Sequence, residues 1–155
     1  MLKSKTSAYI SLAVCGVSSV LLVLLTVAFP RFIRWLYFGY KMMHLQSAAA
    51  EHILSTITPA YYICVPFAVA ALNALIRLLL NVVREQIFVQ RNVLYLRLVS
   101  WCCYAVAAVT LGFGFSYFPL MFVALMMGIV GTLLRVVKNI MQSAVELREE
   151  NDLTI

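Results

Sequence analysis

The chain carries four long runs of apolar residues, separated by shorter segments that hold most of its charges. The runs cover residues 8–29, 57–80, 96–117 and 119–138. Each has about 20 residues, which is the length an α-helix needs to cross a bilayer core of about 30 Å. No run shows the alternation of apolar and polar residues expected of a membrane β-strand. The pattern predicts an all-α, polytopic membrane protein with a four-transmembrane-helix bundle.

Small residues recur at every fourth position on each run. The stripes are Ser11, Cys15 and Ser19; Pro66, Ala70 and Ala74; Ala108 and Gly112; and Ala124, Gly128 and Thr132. Small side chains allow the backbones of membrane helices to approach closely. We therefore expect a compact bundle, and a single membrane domain over residues 1–155.

The segment between the first two runs, residues 31–56, predicts an interfacial region on the outer side. Its first half carries the aromatic residues Phe32, Trp35, Tyr37, Phe38 and Tyr40, which suit the headgroup boundary. Its second half places Met42, Leu45, Ala49, His52 and Ile53 on one face of a helix. We expect the first span to end at Pro30 and a separate outer helix to lie on the membrane surface.

Two helices are expected to outrun the membrane on the inner side. No glycine or proline occurs between Phe67 and Leu111, so the second helix extends before the chain reverses. Asn92 is a candidate N-cap of the third helix, and Arg97 one turn later can reach lipid phosphates. The apolar spacing of the fourth run continues through Leu133, Val137, Ile140, Ala144 and Leu147. This predicts a cytoplasmic helical tail at 139–150 whose apolar stripe needs a partner.

Composition strengthens the membrane assignment. Hydrophobic residues make up 64% of the chain and charged residues 12%, with a mean hydropathy of +0.96. Soluble domains have about 45–50% apolar and about 25% charged residues. The net charge of +6 would favour nucleic-acid binding in a soluble protein. Here the cations lie at the ends of apolar runs, so the expected partner is the lipid bilayer and no direct nucleic-acid binding is expected.

The distribution of cations predicts the orientation of the chain. One set of connections holds nine cations: Lys3, Lys5, Arg77, Arg84, Arg91, Arg97, Arg135, Lys138 and Arg148. The opposite set holds three: Arg31, Arg34 and Lys41. The positive-inside rule therefore places both termini in the cytoplasm of a multi-pass protein of the cell (plasma) membrane.

The sequence offers no recognisable catalytic constellation. It lacks the GxSxG, HExxH and P-loop motifs, and no carboxylate lies deep in a predicted span. We therefore expect neither enzymatic activity nor a cofactor. His44, Glu51 and His52 are candidate metal ligands, although the two histidines are farther apart than a ligating i, i+4 pair. The alternative is that these three are ordinary interfacial polar residues.

Three intramembrane polar residues have two interpretations. Asn73, with Arg77 one turn below it, and Arg135 could form a polar site near the inner leaflet. They could also be an interhelical hydrogen bond and arginines that extend to the headgroups, which we favour.

Two stretches carry a family resemblance. The first contains Phe88, Asn92, Leu96 and Arg97, and the second is the tail Glu149, Glu150, Asn151, Asp152, Leu153, Thr154 and Ile155. The chain resembles a bacterial family of small four-span membrane proteins of unknown function that end in an acidic Asp-Leu-Thr-Ile or Val tail. Gln86 stands where members commonly have glycine.

The resemblance implies a partner, because genes of this family often lie beside one for a Cro-like helix-turn-helix regulator. An integral membrane protein that binds or regulates such a cytoplasmic protein is our leading hypothesis. Its acidic tail could meet a basic DNA-binding surface, or could only keep the helix end soluble. The alternative function is a small transporter or channel formed by a homo-oligomer.

Overall fold

The protein folds into four long α-helices. The computed structural model describes residues 2–42, 47–84, 86 and 89–152. The helices are α1 (Leu2–Met42), α2 (Ser47–Val83), α3 (Gln90–Gly114) and α4 (Pro119–Asp152). All four are long and apolar enough to cross a membrane, and the described residues include no strand. The predicted all-α, four-helix architecture is confirmed.

The region between the first two spans differs from its prediction. α1 continues through Pro30 to Met42, and α2 begins at Ser47, so no separate outer helix exists in the described residues. Leu45 lies outside those residues. Proline removes one backbone hydrogen bond, but an apolar surrounding offers the flanking backbone no partner other than a continued helix. The same reason explains why Pro59 and Pro66 lie inside α2.

The predicted inner extension of α2 amounts to only three residues, because the helix ends at Val83. Most of the length of α2 beyond the apolar run 57–80 comes from its start at Ser47. Its 37 residues would span about 55 Å at 1.5 Å per residue. The helix closes with a hydrogen bond from the Arg84 backbone N–H to the Leu80 carbonyl at 3.1 Å. α3 begins at Gln90 with Val89 as its N-cap, in extended conformation and without a side-chain cap. The prediction of Asn92 as the N-cap is therefore wrong, because Asn92 lies in the first turn of α3.

α3 and α4 form an antiparallel hairpin with a short turn. The Tyr104 hydroxyl shares a hydrogen bond of 3.1 Å with Thr132 Oγ1. A Cβ atom on Gly131 would lie 3.2 Å from the Tyr104 ring, so the two helices lie close together there. Gly112 and Gly128, which belong to the predicted stripes, have nothing within 4 Å of such an atom. The close approach therefore uses a glycine outside the stripes.

The helices pack in chain order. Among the described residues, the backbones of α1 and α2, of α2 and α3, and of α3 and α4 approach each other, and no other pair does. α1 is held to α2 by stacking of Phe29 on Tyr61, with ring centroids 4.0 Å apart. The buried apolar residues are Ala60, Ala74, Val93, Leu96, Val99, Cys102, Ala124 and Val145. The core therefore lies along α3, and among the side chains that the structure describes, none of the buried apolar ones comes from α1.

Candidate functional site

Asn92 organises the end of the bundle where α2 ends and α3 begins. Its side chain is 0% exposed. Its Nδ2 donates to the Gln86 carbonyl at 2.8 Å, and its Oδ1 accepts from Asn81 Nδ2 at 2.8 Å. A buried amide needs such partners, and this need explains why the side chain points inward instead of capping α3. One residue thus ties together the last turn of α2, the connection and α3.

The far part of α4 packs on the same end. Val145 is 3% exposed. Because α3 is the only helix that approaches α4 in the described chain, that face of α4 lies against α3 or the connection before it. Leu96, predicted as a family-motif residue, is buried in α3. One face of the α4 extension therefore packs against the rest of the protein.

Three cations from α3 and α4 share a cleft, which we call the basic cleft. It has a volume of about 410 Å³ and is lined by Arg97, Ser100, Trp101, Arg135, Lys138 and Asn139. The sequence singled out Arg97 and Arg135 separately, and the structure brings them together. No carboxylate lines the cleft, so its positive charge has no counter-charge in the lining.

Local contacts hold the cleft's side chains in place. The Arg135 guanidinium carbon lies 5.6 Å from the Trp101 ring centroid, within the range of a cation–π interaction. Lys138 Nζ donates to Asn139 Oδ1 at 3.1 Å. The buried Ser100 hydroxyl donates to the Arg97 carbonyl at 2.9 Å. Arginine and lysine side chains arranged in this way can bind an anion.

The cleft lies near the far end of the membrane-length part of α4. From Pro119, the first residue of α4, Arg135 lies about 24 Å and Lys138 about 28 Å along the helix. The hydrocarbon core is about 30 Å thick. With Pro119 at one edge of that core, the cleft lies near the headgroups of the other leaflet. Trp101, 57% exposed, is a residue type enriched at this level.

The other predicted polar residues lie elsewhere. Asn73 and Arg77 are exposed on α2, and Asn73 Nδ2 donates to the Val69 carbonyl of its own helix at 3.0 Å. Neither residue lines the basic cleft. Asn73 thus forms a bond within its helix rather than the interhelical one that we favoured.

The metal hypothesis stays a prediction. Glu51 and His52 are exposed at the start of α2, and His44 lies outside the described residues. In the described ranges, no group of three or more His, Cys, Asp or Glu side chains could hold a metal ion.

The tail predicted from the family resemblance is only partly described. α4 runs to Asp152, which confirms its extension beyond the apolar run. Glu150 and Asn151 are exposed in the last turns. The remaining motif residues, Phe88, Leu153, Thr154 and Ile155, lie outside the described residues, as do the side chains of Glu149 and Asp152.

Sequence reasoning missed four members of the cleft: Ser100, Trp101, Lys138 and Asn139. A signal was present, because Trp101 follows Arg97 by one helical turn and Asn139 follows Arg135 by one turn. Residues at these spacings share a helix face. Counting residues outward from the short turn between α3 and α4 would have placed the Arg97–Trp101 face opposite the Arg135–Asn139 face.

A larger apolar cavity lies among the helices. Its volume is about 510 Å³, and residues from all four helices line it, among them Leu22, Leu72, Val99 and Met127. The intramembrane polar residues Asn73, Arg77 and Arg135 do not line this cavity. It therefore offers no polar path through the described part of the bundle.

Four membrane-length helices, with polar and cationic side chains gathered at one end, define a multi-pass membrane protein. The family described as "Protein of unknown function (DUF2975)" matches residues 3–155, so the chain belongs to that family. No curated protein and no solved structure matches the chain. The family has no assigned activity, and the match indicates no enzymatic class.

Proposed function

We propose that the protein is a non-enzymatic membrane protein that binds a cytoplasmic partner through the extended part of α4. The observation that carries this proposal is an apolar stripe left uncovered on the extension. Ile140 and Leu147 are each 66% exposed, whereas Val145 on another face is buried against the protein's own chain. The uncovered stripe is the surface that the partner would occupy.

The stripe continues past the thickness of a membrane. From Pro119, Ile140 lies about 32 Å and Leu147 about 42 Å along the helix at 1.5 Å per residue. A hydrocarbon core of about 30 Å therefore leaves Leu147 outside lipid. Large apolar side chains grouped in water mark interaction sites. With this end in the cytoplasm, as the cation distribution predicts, the partner is a cytoplasmic protein.

The charges beside the stripe favour a basic partner. Glu146 and Glu150 are exposed on the same part of α4, and Glu149 and Asp152 add acidic positions. Complementary charge brings partners together and sets their orientation. A helix-turn-helix regulator, which the family resemblance implies, presents a basic DNA-binding surface. Binding there would compete with DNA, which gives the membrane protein a way to regulate transcription.

The test is co-purification from native membranes with a Cro-like helix-turn-helix regulator, the class of partner that the family resemblance implies. We expect the wild-type protein to retain the regulator. The Ile140→Lys, Leu147→Lys double variant should retain at least about tenfold less of it, since buried apolar anchors dominate interfaces. Leu125→Ala is the control, because Leu125 is 60% exposed but lies within the apolar run. Retention by the double variant equal to wild type would contradict the proposal.

Removing the acidic tail tests the electrostatic part separately. Deletion of residues 149–155 should slow association and weaken the salt dependence of binding, since charges near an interface mainly act on the rate of encounter. Unchanged binding rates at low and high salt would show that the tail only keeps the helix end soluble.

A further inference from the structure

The basic cleft and a large apolar groove lie on the same face of the α3–α4 hairpin. On α3, the cleft residues Arg97 and Trp101 are followed at helical spacing by Tyr104, Ala108 and Leu111 of the groove. These positions share one side of the helix, since they are separated alternately by four and three residues. The ring of Trp101 contacts that of Tyr104, with centroids 6.3 Å apart. The cleft and the groove are therefore neighbours on one face of the hairpin.

The second wall repeats this arrangement on α4. From the cleft residues Asn139 and Arg135, the same spacing leads to Thr132, Gly128 and Leu125 of the groove. The groove has a volume of about 820 Å³ and an almost entirely apolar lining. Nothing lies within 4 Å of a Cβ atom built on Gly128, so the small residue leaves the groove open.

We propose that this face binds an anionic phospholipid, with its phosphate in the basic cleft and an acyl chain along the apolar groove. Arg97, Arg135 and Lys138 supply the donors. Arginine binds phosphate oxygens through two parallel N–H bonds, and lysine adds a compact charge. Cationic pockets between membrane helices are suited to anionic headgroups. Lipid binding at this face is separate from the proposed partner binding, which uses the extended part of α4.

Three features favour a lipid over a free phosphate ion. The cleft of about 410 Å³ falls in the range of about 300–1,000 Å³ found for sites of whole small molecules. It lies at the headgroup level when Pro119 lies at the opposite edge of the hydrocarbon core. The adjoining groove is apolar, and a free phosphate would leave it unused.

The test measures lipid binding to the full-length protein by native mass spectrometry in detergent. Phosphatidylglycerol is compared with phosphatidylcholine. Inorganic phosphate and glycerol phosphate, which lack acyl chains, are tested as soluble competitors. We expect phosphatidylglycerol to bind at least about tenfold more tightly than phosphatidylcholine. Both lipids carry one phosphate charge, but the choline ammonium of phosphatidylcholine repels the cations of the cleft. Equal affinity for the two lipids would overturn the proposal.

Two pairs of variants locate the lipid. Arg135→Gln combined with Lys138→Gln should weaken phosphatidylglycerol binding at least about tenfold, while Arg77→Gln, an exposed cation outside the cleft, should leave it unchanged. Gly128→Leu should also weaken it by filling the groove, whereas Gly112→Leu should not, because Gly112 has open space but does not line the groove. Phosphatidylglycerol binding that withstands the cleft variant would overturn the proposal.

The soluble competitors distinguish a lipid headgroup from a free phosphate ion as the occupant of the cleft. A lipid site predicts that inorganic phosphate and glycerol phosphate displace phosphatidylglycerol only at far higher concentration, and that Gly128→Leu leaves their own binding unchanged. Displacement by inorganic phosphate at concentrations equal to those of the lipid would assign the cleft to the free ion and overturn the lipid proposal. If the double cleft variant does not fold, Arg97→Gln alone gives the same comparison.

Discussion

α1 and α3 are both helices of membrane length, yet they sit in opposite surroundings. In the most apolar window of α1, 0% of the residues are buried within the chain, whereas 33% of the corresponding window of α3 are. α1 contacts only α2 in the described residues, while α3 lies between α2 and α4. The less apolar helix is therefore the one at the core.

The comparison shows that hydrophobicity does not specify burial in this protein. Lipid accepts an apolar side chain as readily as a protein core does, so little drives α1 inward. Polar side chains behave differently, because each needs a hydrogen-bond partner in an apolar surrounding. α3 holds three of the four buried polar residues, namely Asn92, Ser100 and Thr110. Of these three, Asn92 is held by hydrogen bonds to other segments, whereas Ser100 and Thr110 bond within α3.

The largest effect is expected from Asn92. Asn92→Leu would leave the Asn81 amide and the Gln86 carbonyl without this partner, and should lower the free energy of unfolding by about 3 kcal/mol, since an unsatisfied buried group costs about 1–3 kcal/mol. Equilibrium unfolding in mixed micelles measures the change. Asn73→Ala is the control, because Asn73 is exposed and bonds only within its helix. Equal stability of the two variants would show that the hydrogen bonds of Asn92 do not stabilise this end of the bundle.

A steric change at the hairpin comes next. Gly131→Leu places its side chain against Tyr104 and Cys103, with Cβ distances of 3.2 and 3.3 Å. Overpacking of this kind costs about 1–3 kcal/mol. Gly128→Leu, three residues earlier, has free space and should unfold at the same denaturant concentration as wild type. The hairpin contact is misplaced if the two substitutions are equally destabilising.

A pair of valines compares the two helices directly. Val93→Ala on α3 removes a buried side chain and should cost about 1 kcal/mol, mostly in lost packing. Val17→Ala on α1, where the side chain is 68% exposed, should change the unfolding free energy by less than about 0.5 kcal/mol. A cost at Val17 as large as that at Val93 would mean that another protein surface covers α1.

The smallest effect is expected at the contact between α1 and α2. Thr26 Oγ1 and the Tyr61 hydroxyl share a hydrogen bond of 3.2 Å. Interhelical hydrogen bonds in membranes are worth about 0.6 kcal/mol. A double-mutant cycle of Thr26→Val and Tyr61→Phe should therefore give a coupling of that size. A coupling of zero would leave the stacking of Phe29 on Tyr61 as the main link.

The sequence predicted the four spans and the extension of α4, because length and hydropathy determine which segments can cross a bilayer. For α2 it predicted an extension at the inner end, whereas the helix extends mainly at its start, from Ser47. It failed at Pro30, where a residue that usually ends helices in water continues one in an apolar surrounding. It failed at Asn92, since an N-cap and a buried amide at the start of a helix have the same sequence signature. Only the tertiary structure distinguishes them.

The site was predictable in its parts but not as a whole. Arg97 and Arg135 stood out individually because each lies at the end of an apolar run. Their common cleft depends on the register of the α3–α4 hairpin, which brings together residues distant in sequence such as Gly131 and Tyr104. The residues of the apolar groove looked like packing stripes, since small residues serve both purposes.

The central claim is that the uncovered stripe of α4 meets a cytoplasmic protein. A photo-reactive phenylalanine analogue at position 147, activated in intact cells, tests it most directly, with position 125 as the control within the apolar run. We predict one protein adduct from position 147, identified by mass spectrometry as a helix-turn-helix regulator, and no such adduct from position 125. Adducts with lipid alone from both positions would contradict the claim.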